Sequence, residues 1–155
     1  TDLLIEKNVP IIYESVFSTP MRRFEDYDQA YKTPMILKNA GVKFCISTSS
    51  SSFQTPHLRN LPYHAAMASS FGLPSEEALR SITLSVAEIL GIVERTGSID
   101  MGKDATLIIT DGDILEITTQ VKAAFIQGRK VDLSDRHKMM YEKYTEKYRQ
   151  KGILE

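Results

Sequence analysis

The first half of the chain alternates short apolar runs with polar segments in the order strand, loop, helix, strand. Residues 11–17 are rich in β-branched and aromatic side chains and are short enough to form a buried strand. Thr33 is the expected N-cap of a helix over residues 34–40, which Gly41 would close, and a second buried strand follows over residues 42–47. This spacing predicts a βαβ unit with parallel strands, apolar on both faces.

The middle of the chain shows a helical pattern, with helices expected over residues 62–71, 76–82 and 86–90. Ser75 is the expected N-cap of the second helix. Ser85 and Glu88 have the spacing of a capping box for the third.

The last third changes to short strands and turns, with strands expected over residues 105–110, 120–126 and 130–131. Ser134 is then expected to open a final helix that reaches residue 151. Met140, Tyr144 and Tyr148 recur along it at helical spacing among lysines and arginines. The strands are too few and too short to bury a face without a partner.

Composition narrows the class of protein. The chain has 155 residues, 42% hydrophobic and 25% charged, which is typical of a globular domain. A net charge of -1 offers no general attraction to nucleic acid or to an anionic membrane, and no apolar stretch is long enough to span a bilayer. The single cysteine, Cys45, excludes an internal disulfide and favours a reducing, cytoplasmic setting.

An ordered set of motifs in the second half resembles the C-terminal region of the amidohydrolase superfamily, in particular the imidazolonepropionase-like metal-dependent hydrolases. The blocks, in chain order, are Asn60-Leu61-Pro62, Gly72-Leu73-Pro74-Ser75-Glu76-Glu77-Ala78-Leu79, Ala87-Glu88-Ile89-Leu90-Gly91, Gly97-Ser98-Ile99-Asp100-Met101-Gly102-Lys103-Asp104-Ala105, Asp111-Gly112-Asp113 and Val121-Lys122-Ala123-Ala124-Phe125-Ile126-Gln127-Gly128-Arg129.

The resemblance implies an α/β fold, the last part of a (β/α)₈ TIM barrel. Residues 11–17 and 44–48 would be like barrel strands 7 and 8, and the C-terminal strands would belong to a small β-sandwich. The implied division is a partial barrel over residues 1–96, a partial β-sandwich over 97–132 and a C-terminal helix over 133–155. Because a barrel needs about eight strands, we expect the chain to be the last third of such an enzyme or a subunit that associates.

The resemblance also implies chemistry: hydrolysis of amide or cyclic amide C-N bonds by water that a divalent metal, zinc or iron, activates. An aspartate at the end of the eighth strand serves this chemistry in the family. Ser49 stands at that position here and is the candidate catalytic residue, with an ordinary place in a serine-rich loop as the alternative. A serine hydroxyl is a poor general base and a poor ligand for a hard cation. The His-x-His pair of the first barrel strand is absent, so we expect the chain alone to bind no metal.

Three residues after the eighth strand, His57, Arg59 and Asn60, are candidates for substrate binding, with ordinary surface positions as the alternative. Arg22 and Arg23 follow the seventh strand and are candidates for contact with an acidic substrate group, or are simply solvated. His57 and His64 lack a third ligand at metal-binding spacing.

Two functional hypotheses follow. The first is the C-terminal part of a C-N hydrolase acting on a small amide, inactive as an isolated piece. The second is a degenerate, non-enzymatic scaffold or assembly module of the same fold. In either case we expect no nucleic acid or membrane partner, and a homo-oligomer or association with a missing N-terminal segment, because exposed apolar strands are costly.

Overall fold

The computed structural model describes residues 2–14, 16–48, 53 and 55–154, which form two small sheets and six α-helices. Helix α1 (Asp2–Glu6) leads into strand β1 (Ile11–Tyr13). Helix α2 (Gln29–Asn39) then crosses to strand β2 (Phe44–Ile46), which pairs with β1 in parallel. The predicted βαβ unit with parallel strands is confirmed.

The rest of the chain adds helices to this unit and then builds a second sheet. The helices are a 3₁₀-helix (Thr55–Asn60), α3 (Leu61–Ser70), α4 (Ser75–Ser81) and α5 (Leu84–Ile89). The second sheet is antiparallel in the order β3 (Leu107–Thr110), β4 (Val121–Ile126), β5 (Arg129–Lys130), and α6 (Arg136–Gln150) ends the fold. No helix within the described ranges is both long and apolar enough to cross a membrane.

The hydrophobic core forms around β2, all three residues of which are buried. Helices α2, α3 and α4 pack near it and supply most of the remaining core side chains. In β1, by contrast, Ile12 is 53% exposed, so the expectation that both strands are apolar and buried on both faces holds for β2 and is wrong for β1. The buried hydrophobic cluster comprises Val16, Leu37, Val42, Phe44, Ile46, Ala65, Ala68, Leu73 and Ala78.

The first strand is shorter than its apolar run predicts, three residues instead of seven. Its last residue, Tyr13, lies opposite Ile46, the last residue of β2. The run continues beyond the strand because Val16 is fully buried in the core and Phe17 contacts aromatic rings on the helices. An apolar run can therefore be long because it serves two packing layers in succession.

Helix α2 begins at Gln29, five residues before the predicted start, and Pro34 lies inside it. Proline has no N–H, so the carbonyl of Ala30, four residues earlier, lacks its helical donor. The hydroxyl of Tyr13 donates to that carbonyl at 2.9 Å. Thr33 is not an N-cap, since its hydroxyl donates to the carbonyl of Gln29. A contact from β1 thus helps to accommodate a proline within the helix.

Two further predicted caps are wrong. Ser75 is the first residue of α4 rather than its cap, which is Pro74. Ser85 lies within α5, and the Glu88 carboxylate pairs with Arg80 at 2.6 Å instead of closing a capping box.

The last helix has its cap one residue later than predicted. Asp135 accepts from the N–H of Lys138 at 2.9 Å, whereas the hydroxyl of Ser134 donates to Asp132. A carboxylate at this position also interacts favourably with the positive end of the helix dipole.

Candidate functional site

The carboxyl ends of β1 and β2 lie at the same edge of the parallel sheet. The N–H of Ser47 donates to the carbonyl of Tyr13 at 2.9 Å, so the pairing extends one residue beyond β2. In α/β folds, ligands bind outside the carboxyl ends of parallel strands, on the loops that follow them. The candidate residues of the sequence analysis lie in the segments that follow these two strands.

The loop after β1 carries the two candidate arginines, Arg22 and Arg23, both exposed. The carboxylate of Glu25 shapes the loop by accepting from the N–H groups of Met21, at 2.9 Å, and Arg22, at 3.3 Å. The Arg22 guanidinium lies 5.8 Å from the ring centroid of Phe24, a cation–π contact. The guanidinium of Arg22 is thus held near its own loop.

The segment after β2 carries the other candidates. Ser49 lies outside the described residues, so its predicted role stays a prediction. His57, Arg59 and Asn60 share the 3₁₀-helix, where the first two are exposed and Asn60 is partly buried. Among the described residues, none of these three side chains has a hydrogen-bond or ion-pair partner. All three residues therefore lie on one short helix, and their side-chain polar groups remain available to bind a ligand.

A cluster of aromatic rings also follows β1, and the sequence pattern did not indicate it. Phe17 packs edge-to-face on His64, with ring centroids 4.6 Å apart, and contacts Tyr31, which in turn lies 4.9 Å from Phe71. These residues come from the loop after β1, from α2, from α3 and from the residue that follows α3. Their sequence separations carry no periodic signal, so only the tertiary fold reveals the cluster.

The environment of His64 is apolar. Its Nδ1 is buried and has no hydrogen-bond partner among the residues that the structure describes, and loss of hydration lowers the pKa of the imidazole. The neutral ring is therefore the favoured form, packed against Phe17.

The described residues do not fit a catalytic metal ion by themselves. Nowhere in ranges 2–14, 16–48, 53 and 55–154 do three or more histidine, cysteine, aspartate or glutamate side chains come together as a ligand set. Burial raises the pKa of the Cys45 thiol, which disfavours the thiolate that binds metals. One carboxylate oxygen of buried Asp28 lies 2.6 Å from the Lys32 ammonium, and the other has no hydrogen-bond partner within the described part of the chain.

Comparison with known proteins identifies the class. Residues 28–132 match the sequence profile of the amidohydrolase family, and the chain belongs to that family. The chain is also similar to imidazolonepropionases. It is 33% identical to the imidazolonepropionase of Mesorhizobium japonicum over 76 residues, and 31% identical to the imidazolonepropionase of Thermoplasma volcanium over 86 residues. These alignments cover 49% and 56% of this chain but only 19% and 21% of the relatives. The chain thus spans about a fifth of their length.

Solved structures agree with the family assignment. An amidohydrolase from Thermotoga maritima superimposes with a TM-score of 0.72 and 29% sequence identity, covering 84% of this chain and 33% of that one. The mixed α/β fold is thereby confirmed for most of the chain. Helix α6 lies beyond the last residue that the family profile matches.

Proposed function

We propose that the chain is the C-terminal portion of a metal-dependent hydrolase that cleaves the C-N bond of a small amide or cyclic amide. The observation that carries this proposal is a parallel strand pair, with polar candidate residues in the segments after both strands, in a chain of the amidohydrolase family. Similarity to imidazolonepropionases supports a cyclic amide as the substrate class.

In this proposal, β1 and β2 are the seventh and eighth strands of a barrel. Residues 1–96 form the partial barrel, 97–132 the partial β-sandwich and 133–155 the C-terminal helix. The separation of the parallel sheet from the antiparallel sheet in the strand order supports this division. The remaining strands of the barrel would come from a longer chain or from associated copies.

The proposed residue roles concern binding rather than the chemical step. His57, Arg59 and Asn60 lie on one short helix, form no hydrogen bond or ion pair through their side chains with other described residues, and would contact the substrate. Arg22 and Arg23, on the loop after β1, would contribute positive charge. The metal, zinc or iron, would supply activation of water and polarisation of the amide carbonyl. Because the described residues form no ligand set, we expect no hydrolysis by the isolated chain.

A second candidate function is a degenerate scaffold without catalysis. Serine at position 49, where the family has its aspartate, favours this candidate because a hydroxyl replaces a carboxylate in the catalytic machinery. Both candidates share the fold, so only chemistry distinguishes them.

The deciding experiment is isolation of the natural protein from its cells, with intact mass, metal analysis and hydrolysis of cyclic and N-acyl amides measured on the same sample. We expect a mass well above 17.5 kDa, at least one zinc or iron per chain, and hydrolysis. A larger protein without metal or activity would establish the scaffold. A natural protein of 17.5 kDa that binds metal and hydrolyses amides would contradict both candidates.

We also propose that the 155-residue chain associates in solution, with another copy or with the missing N-terminal segment. The exposed apolar side chains support this proposal, including Ile12 on β1 and Ile108 and Ile109 on β3, each more than half exposed. A cooperatively melting monomer in light scattering of dilute protein would contradict it. The proposed setting is the cytoplasm, without nucleic acid or membrane partners, in keeping with the near-neutral charge and one buried cysteine.

A further inference from the structure

The two sides of helix α6 have different surroundings. Lys138, Met139 and Glu142 border a cavity against β4, β5 and the segment that follows them. At about 100° per residue, Met140, Tyr144 and Tyr148 lie on the opposite side of the helix. These three side chains are 39%, 42% and 40% exposed, so a large part of each is open to solvent.

The outward side of α6 is cationic as well as aromatic. We call the tyrosine face the side formed by Met140, Tyr141, Tyr144 and Tyr148. Helical periodicity places Lys147 and Lys151 next to this face and both glutamates of the helix beyond it. The Lys147 ammonium lies 5.6 Å from the ring centroid of Tyr144. An occupant of the tyrosine face must therefore offer apolar contact and negative charge.

Charge excludes one simple occupant, the same helix of another copy. Residues 136–151 contain six lysines and arginines and two glutamates, so two tyrosine faces in contact would repel. Residues 94–117 have the reverse composition, with six acidic and two basic residues. We call residues 94–117 the acidic segment.

The acidic segment also supplies exposed apolar side chains. Ile99, Met101 and Ile117 are among the most exposed large hydrophobic residues of the described chain, at 85%, 104% and 73%. Glu94 and Glu116 are exposed, and neither carboxylate has an ion-pair or hydrogen-bond partner within the described ranges. Apolar contact and free negative charge are the two properties that the tyrosine face requires.

We propose that the tyrosine face of α6 docks on the acidic segment of a second copy of this chain. In a twofold dimer, the tyrosine face of each copy contacts the acidic segment of the other, so both surfaces of both copies are covered. About 400 Å² from each of the four surfaces would reach the area of a standard interface. Tyrosine is enriched in the buried centre of such contacts, and polar side chains lie at their solvent-accessible rim. The contact rests on the proposed self-association and not on hydrolysis.

The test compares variants with equal charge changes in sedimentation velocity over a concentration series. Lys147→Glu with Lys151→Glu places negative charge beside the tyrosine face. Lys143→Glu with Arg149→Glu makes the same change farther around the helix and is the control. We expect the first pair to raise the dimer dissociation constant by about tenfold or more, and the control pair to raise it much less. All four side chains are exposed, and circular dichroism checks that each variant folds.

A charge swap identifies the partner surface. Glu94→Lys with Glu116→Lys should weaken the dimer in the same way, and mixing this variant with Lys147→Glu/Lys151→Glu should restore it, since both contacts of the mixed dimer then pair opposite charges. Failure of the mixture to associate, or equal effects of the face and control pairs, would overturn the docking.

Salt separates this contact from association through the sheet edges. Raising salt from about 0.05 to 0.5 M should weaken the α6 contact because the charges are exposed. Self-association that persists in high salt and ignores the α6 variants would overturn the docking and leave the proposed association intact. A wild-type chain that stays monomeric at all concentrations would overturn both.

Discussion

Residues 16–87 and residues 88–154 differ in what holds them in place. Every buried residue of the described chain lies in the first region, from Val16 to Ala87, around the parallel strand pair. Within the described part of the second region the sheet is paired by backbone hydrogen bonds, yet Ile108 and Ile109 are each 51% exposed. Leu115 packs against the core of the first region.

This difference indicates that the antiparallel sheet is stabilised mainly by its contacts with the first region. Burial of apolar surface is the main favourable contribution to folding, and a three-stranded sheet whose described side chains are at most partly buried has little of it. Exposed ion pairs such as Arg95–Asp104, at 3.0 Å, and Lys122–Asp111, at 2.8 Å, add little. The second region should therefore respond weakly to loss of its own apolar side chains and strongly to damage where it meets the first.

The largest expected effect contrasts two isoleucines in strands. Ile46→Ala in β2 removes a side chain that is 1% exposed and should lower the free energy of unfolding by about 2 to 5 kcal/mol. Ile109→Ala in β3 removes one that is half exposed and should cost less than about 1 kcal/mol. Urea denaturation of dilute protein measures both. Equal losses would mean that the second sheet is covered in solution.

The next effect concerns the junction between the regions, at Gly97. This glycine has φ of +98°, and a Cβ built there would lie 2.6 Å from the Cβ of Ala87 on α5. Gly102 has a similar φ, +90°, but open space around the Cβ position. Gly102→Ala should cost about 1 kcal/mol for backbone strain alone, and Gly97→Ala about 1 to 3 kcal/mol more because α5 must move. Thermal melting of the two variants tests whether the junction is tightly packed.

A smaller effect lies within the first region, at the hydrogen bond from Tyr13 to the carbonyl of Ala30. Tyr13→Phe should cost about 1 kcal/mol. Pro34→Ala supplies the missing backbone N–H, so Tyr13→Phe should cost less in that background. The Thr33 hydroxyl on the same helix also contacts the tyrosine hydroxyl, and the double-mutant cycle isolates the part of the cost that involves the Ala30 carbonyl. Additive costs would show that the carbonyl does not need the tyrosine.

How far the sequence predicts this molecule can be judged at particular residues. Parallel pairing of β1 with β2 and the three strands of the second sheet follow from runs of β-branched residues and from turns such as Gln127-Gly128. The true start of α2 does not, because a proline normally marks a helix start, and here a tyrosine 21 positions earlier satisfies the carbonyl that Pro34 leaves free. Long-range contacts of this kind leave no local signal.

The candidate site also has features that the sequence predicts and features that it does not. The grouping of His57, Arg59 and Asn60 on one element could be predicted because they are close in sequence. The contact of Phe17 with His64 could not, since it joins a loop to a helix 47 positions away. The role of Ser49 rests on the family pattern, and that residue lies outside the described ranges.

The smallest expected effect is a dependence of stability on pH that arises from His64 in the first region. Burial lowers the pKa of His64 in the folded chain relative to the unfolded chain. The unfolded state therefore binds more protons in the interval below about pH 6.5, so stability should be complete above that pH and should fall as the pH drops toward the folded pKa.

His64→Phe keeps a ring against Phe17 but removes the titrating group, so it is the matched variant for this effect. The difference in unfolding free energy between wild type and His64→Phe should be constant above about pH 7. As the pH falls to about 5, the wild type should lose stability relative to His64→Phe. Urea denaturation at several pH values gives this difference directly, and dilute protein keeps association from contributing. Because Nδ1 is buried and has no hydrogen-bond partner among the described residues, charging the ring costs hydration that no acceptor there replaces, and this is the physical cause of the expected loss. A difference that does not change with pH would show that the imidazole reaches solvent before it is protonated, and that the packing around Phe17 opens more readily than the rest of the first region.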